Sequence, residues 1–479
     1  MFQTRVKPLC CLVLLVQIFG GARGLVPYAL FLFVFPFLMG LTGCGEALSQ
    51  KTVVRFSTWG SAEELAIIRQ LEARFESEHS DIDVQVMHIP ENYDQKIHML
   101  AASGLLPDVI AINSWTYPKY ACYGLLANLK PFFQSSNQLN EEDFYITALQ
   151  AFGEGQGDER NGVERSIGAV PRDVSDVVMF VNQSLLKQRG VTLPSRDKRN
   201  AWTWQSFMDL AKQVSTGQKA QEKSQPIVFG TSFYRHPPLF WLPWVWMSGG
   251  SLWGEDGQLG LNTPQAVQGI QFAHQLLTSG VAPSRQQTGQ TTMTQLFVQQ
   301  RLATMINGRW VVPLLRKQAD FDWDVWPLPS GEQGSITGVD ASGYALSASS
   351  KNKDASWQWI SFLSSSFAVR QFVASGLVVP ARKDVAESEL FLSPKEKPRH
   401  SQVFLEVLAS GQPTQSHPKL EYFSNVLKVG LEPVWDRETP WNTNQLNRYM
   451  DQLVHDAEMG ARPLQKRLAK SGEAICPQL

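Results

Sequence analysis

TVVRFSTWG (52–60), SAEELAIIRQLEARFESEH (61–79) and DIDVQVMHI (81–89) follow one another directly, and the fold is decided here. The first and third stretches are rich in β-branched residues in alternation, the pattern of strands. Between them, apolar residues recur at helical spacing behind Ser61, a residue able to cap a helix. The sequence then repeats the alternation. YDQKIHMLAASG (93–104) predicts a helix stopped at Gly104, and PDVIAIN (107–113) predicts a third strand. β-α-β-α-β implies a doubly wound lobe with a parallel sheet. Ligands of such sheets sit beyond the carboxyl ends of strands, which places Trp59, Ser114 and Trp115 at a cleft rim.

Downstream, RSIGAVPRDVSDVVMFVNQSLLKQRGV (165–191) reads as two apolar strand-like halves around Pro171. AWTWQSFMDLAKQV (201–214) and FWLPWVWMSGGSLW (240–253) read as helical. TPQAVQGIQFAHQLLTSGVAP (263–283) predicts an amphipathic helix begun at Thr263-Pro264 and ended near Gly280. A helix into a strand (296–310), two more strands around a loop (321–351) and a largely helical remainder complete the pattern.

The chain of 479 residues is 43% hydrophobic and 18% charged, enough for two or three well-buried lobes. Its formal charge is −1. Arg5, Lys7 and Arg23 precede Cys44 and no acid does, so a chain beginning at Cys44 is more acidic still. That balance excludes an electrostatic footprint for nucleic acid. Tryptophan is over-represented, 15 against 10 tyrosines. Burial accounts for most indoles, but flat apolar faces with one donor also suit stacking on sugar rings.

Leu25–Thr42 is an apolar run behind Arg23, of a length shared by a transmembrane helix and the core of a secretory signal. Its end favours the signal. Leu41-Thr42-Gly43-Cys44 resembles the bacterial lipobox, after which GEALSQK turns polar. The expected arrangement is a leader over 1–43, acylation of Cys44, a tether over 44–51, and export with a lipid anchor on a bacterial membrane. A second apolar run, Leu9–Phe19, makes the leader long, and a later start or a second inserting segment both remain open. Cys122 and Cys476 could pair in an oxidising compartment, but the expectation is a buried core thiol and a free tail thiol. No CxxC, Cys/His cluster or HExxH is present, so no metal site and no cofactor are expected.

Nine stretches resemble, in order, the family 1 extracellular solute-binding proteins of ABC importers, the group of maltose-binding protein. They are RFSTWG, LAASGLLPDVIAIN, YGLLANLKPF, GAVPRDVSDVVMFVN, TWQSFMDL, WMSGGSLW, LNTPQAVQGIQF, ATMINGRW and SKNKDASWQWISFLSS, spread over most of 52–440. The resemblance implies an α/β fold of two lobes joined by a multi-strand hinge and closing on a ligand. It divides the chain into lobe one, 52–171 plus 308–345, and lobe two, 172–307 plus 346–479. It implies a substrate-binding lipoprotein, not an enzyme, that works as a monomer and delivers a sugar or oligosaccharide to membrane permease subunits. A small osmoprotectant glycoside and glycerol-3-phosphate are the alternative ligands, the latter because a cation at Arg172 suits phosphate.

A sugar site needs carboxylate, amide and hydroxyl partners in the ring plane and aromatic plates above and below it. INGRW resembles the family's N-G-P-W segment, whose Trp stacks on sugar, and this implicates Trp310, with Arg309 in place of the proline. The family's basic residue and Asp after the hinge proline match Arg172 and Asp173, and Ser175 falls where a relative uses a carboxylate. Trp59 and Trp115 end strands at the rim. Trp241 and Trp244 share a helical face, and of the close set with Trp246 the one expected in the cleft is Trp244. Gly343 and Tyr344 fall at a late lobe crossing, and Tyr422 near a late aromatic of the family. A secreted glycosidase is the rival from another class. It would need two facing carboxylates, and neither GxSxG, GxxxxGK[ST] nor a zinc signature is present, while GEGQG (153–157) does not fit GxGxxG.

Overall fold

The computed structural model describes residues 51–154, 166–196, 202–216, 227–254, 257–413 and 420–470. The leader, Cys44 and Cys476 lie outside them. The strands are β1 (Thr52–Thr58), β2 (Ile82–His88), β3 (Val109–Asn113), β4 (Gly153–Glu154), β5 (Ser166–Ile167), β6 (Val170–Asn182), β7 (Thr304–Gly308), β8 (Trp323–Trp326), β9 (Gly338–Leu346), β10 (Val379–Pro380) and β11 (Gln412–Pro413). The first two helices are α1 (Ala62–Glu78) and α2 (Tyr93–Ala102).

The opening alternation folds as its pattern demands. β1 pairs in parallel with β2 on one side and β3 on the other. Ser61 caps α1, its side chain accepting from the Glu64 amide at 3.2 Å. Glu64, Ile68, Leu71 and Phe75 form the buried stripe of α1 at the i, i+3/i+4 spacing. β9 then joins β3 antiparallel, so the sheet order runs β10-β6-β9-β3-β1-β2.

β6 is one continuous strand of 13 residues, where the sequence suggested two halves around Pro171. The register against β9 shifts between Pro171 and Asp173. A bulge there accommodates a proline that a regular ladder would not. The first part of β6 pairs with β9 over Val170–Asp176, and the second with β7 and β8 over Val177–Asn182. The VVMFV run is apolar throughout because both faces are covered. Val178 and Phe180 enter one core, with Phe56, Phe75, Trp323 and Trp359. Val177, Met179 and Val181 enter another, with Trp241, Trp244, Phe272 and Trp435. A smaller cluster around Ile97, Ile112 and Tyr117 covers α2.

Later segments divide between these cores. The helices Lys353–Leu363 and Ser366–Ala374 pack against α1, and the former also meets β1. The helix Pro264–Thr278, capped by Thr263, packs against the helices Leu242–Met247 and Thr443–Lys470. The apolar stretch 240–253 forms only that short Leu242–Met247 helix after a 3-10 turn. Cys122 is half-buried and disulfide-bonded, which corrects the expectation of a buried free thiol; its partner lies outside the described residues. No helix among the described residues is long and apolar enough to cross a membrane.

His274 ties the helix Pro264–Thr278 to the C-terminal region, its Nδ1–H donating to the Val434 carbonyl at 2.7 Å. Burial holds its pKa below the ordinary 6.5, with the Val434 bond pulling the other way. His236 is shifted in the same direction, first by burial. The unfolded chain therefore takes up protons at these sites at a higher pH than the folded one. This contribution is complete at neutral pH and is lost as pH falls through about 6.5 and below. Melting temperature should fall between pH 7 and pH 5, and less steeply in His274→Gln than in the wild type.

Candidate ligand-binding cleft

Two cavities with shared lining lie beyond the ends of β1 and β3, against Arg172–Ser175 of β6 and Asp340–Ser342 of β9. The inner one, about 190 Å³, is lined by Trp59, Glu64, Arg172, Asp173, Arg309 and Trp310 among others. The outer, about 490 Å³, is lined by Trp59, Asn113, Trp115, Phe240, Trp310 and Asp340 among others. Trp59, Ser175, Trp310 and Ser342 border both. Sequence-expected Trp59, Trp115, Arg172, Asp173, Ser175 and Trp310 are thus brought together.

Each indole is held by its own local device. Trp59, one residue past β1, stands edge-on to Tyr93 with ring centroids 4.9 Å apart. Tyr93 is itself locked by donating to the Ala111 carbonyl at 2.8 Å. Trp115 follows β3, and its Nε1–H donates to the Asp340 carboxylate. Trp310 sits in a 3-10 turn directly after β7, 37% exposed and edge-on to Phe240 at 6.4 Å. Its ring lies across Gly308, where an added Cβ would come within 1.9 Å of a ring carbon. A side chain at position 308 would have to displace that ring.

The polar side of the inner cavity is a buried ion triad. Arg172 donates from Nε to Asp173 and from an Nη to Glu64, both at 2.5 Å. Its ring neighbour is Phe372, 5.1 Å from the guanidinium carbon. Burial opposes its charge, but Asp173 and Glu64 together outweigh burial and hold its pKa well above the ordinary range. Asp173 is raised, first by burial, with Arg172 opposing. Arg309, at the position of the family's proline, donates to Ser401 Oγ at 3.1 Å and lies 4.3 Å over Phe391. Burial, then Arg316, pulls its pKa down to about 9, so it remains a cation at neutral pH.

Four expected residues stand elsewhere. Trp244 is only 1% exposed, edge-on to Trp204 at 6.1 Å and 5.2 Å from Phe272; it is core. Gly343 lies within β9, paired with Ile112 and Pro171, and serves the sheet. Tyr344 is buried edge-on to Phe56 at 5.7 Å, and burial pushes its hydroxyl up to about 12. Tyr422 packs on Phe423, and its hydroxyl donates to the Ala457 carbonyl at 3.3 Å. Glu64, Asp340, Asn113, Phe240 and Ser342 were not singled out from sequence. Glu64 carried only the signal of a helical first turn. Asp340 enters because β9 pairs it with Ser175, a register no local pattern reveals.

Residues 59–367 match the family described as bacterial extracellular solute-binding protein. The melibiose/raffinose/stachyose-binding protein of Bacillus subtilis is 27% identical over 176 residues, 34% of this chain and 41% of that protein's length. Among solved structures, an ABC substrate-binding protein of Listeria monocytogenes in complex with cycloalternan superposes with a TM-score of 0.73 at 22% identity, covering 86% of this chain and 99% of that one. The GacH receptor of Streptomyces glaucescens, solved unliganded and with acarbose, gives 0.70 at 20% identity, covering 85% and 98%. These likenesses show an α/β fold of the two-lobed kind found in periplasmic sugar-binding proteins. With the family's match extending over well more than half of its length, the chain belongs to the bacterial extracellular solute-binding proteins.

Proposed function

We propose that this protein is the substrate-binding component of an ABC importer that captures a sugar or oligosaccharide and delivers it to membrane permease subunits. The observation that carries this reading is the cleft itself. Three indoles, Trp59, Trp115 and Trp310, surround carboxylate, amide and hydroxyl groups of Asp340, Asn113, Ser175 and Ser342. That is the combination of apolar plates and in-plane hydrogen-bond partners a saccharide needs. The saccharides named for the relatives above support it. The chain works as a monomer, exported and held to a bacterial membrane by acyl chains on Cys44.

Closure divides the chain by strand pairing and helix contacts. The first half comprises β1–β3, the start of β6, β9 and the helices of 353–374. The second comprises the end of β6, β7, β8 and the helices of 242–278 and 420–470. This partition differs from boundaries at 308 and 346, because β8 builds on the end of β6 while 353–374 packs on α1. β6 crosses between the halves and serves as a hinge strand.

A calorimetric panel of neutral di- and oligosaccharides should find at least one that binds at micromolar concentration or below. X-ray scattering with that sugar should show a smaller radius of gyration. A panel without any binder, against protein shown to be folded, would overturn the sugar reading; a binder without contraction would overturn closure.

A further inference from the structure

We propose that Glu64 makes the cleft selective for uncharged saccharides by withholding Arg172 from anionic ligands, an inference that rests on the sugar-binding reading above. Five charged side chains line the two cavities: Glu64, Asp173 and Asp340 against Arg172 and Arg309. The carboxylates outnumber the cations. Arg172, the cation sequence alone would offer to a phosphate, is engaged on two sides at 2.5 Å. Arg309 is turned to uses of its own, donating to Ser401 and lying over Phe391. Asp340 adds a third carboxylate, held by Trp115 and by Ser114 Oγ at 3.4 Å.

The position of Glu64 is built rather than incidental. Its carboxylate lies against Gly60, where a Cβ would fall 2.2 Å from Oε2, and Gly60 has φ +112°, a conformation glycine adopts without strain. The Ser61 cap starts α1 so that Glu64, in its first turn, reaches β6.

An entering phosphate or carboxylate meets a surplus of negative charge in a site of low dielectric, where such terms are magnified. To neutralise its charge on Arg172 it competes with two carboxylates already paired there, and any carboxylate it displaced would be left buried and uncompensated. A sugar hydroxyl avoids both costs. It donates to Glu64, Asp173 or Asp340 and accepts from arginine N–H groups while the pairs stay intact.

The test is calorimetric titration of wild type, Glu64→Gln and Asp173→Asn with maltose, raffinose, trehalose, trehalose 6-phosphate, glycerol 3-phosphate and inorganic phosphate. Thermal unfolding confirms that each variant is folded; Glu64→Gln tests Glu64 itself, and Asp173→Asn tests whether relieving Arg172 of its other carboxylate partner also frees it for an anion. In the wild type, a neutral sugar should bind at least roughly tenfold more tightly than its phosphorylated counterpart, a gap of about 1.4 kcal/mol. Either variant should narrow that ratio and gain affinity for glycerol 3-phosphate or inorganic phosphate. Wild type binding a phosphorylated probe as tightly as the neutral one would overturn the inference and leave the solute-binding reading standing. If no saccharide binds, the sugar reading fails, and the phosphate arm still decides: a gain in the variants supports the role of Glu64, and none overturns it.

Discussion

Trp310→Ala should lose at least roughly 30-fold in affinity for whichever neutral saccharide binds the wild type, with little change in melting temperature. Trp310 borders both cavities and is the most exposed of the large aromatic side chains there, at 37%. Central interface aromatics of this kind cost about 2 kcal/mol or more on truncation, which is the stated factor in dissociation constant. Its support comes from Gly308 beneath and the edge of Phe240, so few core contacts are lost with it. A core tryptophan such as Trp244 gives the reverse pattern: truncation costs about 3–5 kcal/mol of stability and leaves the surviving binding site intact. Calorimetry and thermal unfolding on the same variant separate the two. Marked destabilisation with unchanged affinity would remove Trp310 from the site and leave stacking to Trp59 and Trp115.

The second large effect is on stability. Arg172→Met should destabilise the protein by about 3–5 kcal/mol, because it leaves the carboxylates of Glu64 and Asp173 buried without their cation. The methionine fills much of the vacated volume and keeps apolar contact with Phe372, so packing loss is a minor part. The triple change Glu64→Gln, Arg172→Met, Asp173→Asn should recover most of the loss, since it removes the buried charges together. Denaturant unfolding of the single and triple variants measures both. A single-variant cost below about 1 kcal/mol, the range of exposed pairs, would mean that water screens the triad.

The two predictions draw on residues that sequence revealed to different degrees. Trp310 and the Arg172-Asp173 pair were legible because a resemblance placed them on an ordered set of motifs. Trp59 and Trp115 were legible from physics alone: they end strands of a parallel sheet, and that edge is where such sheets hold ligands. Trp244 misled because six consecutive apolar residues, Leu242–Met247, carry no periodicity to say which face is covered. Packing by Trp204 and Phe272 settles it.

Local sequence determined the elements of the first half of the chain: alternation made β1 and β2, and the Ser61 cap with its apolar stripe made α1. It also set the apolar run of β6, whose burial on both faces follows from having no polar alternate. Tertiary structure alone decided how the walls of the cleft meet. Glu64 meets Arg172 from 108 residues away in the chain, and Asp340 meets Trp115 from 225. Such pairs depend on strand register and on where a helix is laid across the sheet. Those are set by the summed burial of many side chains, so no short window of sequence contains them.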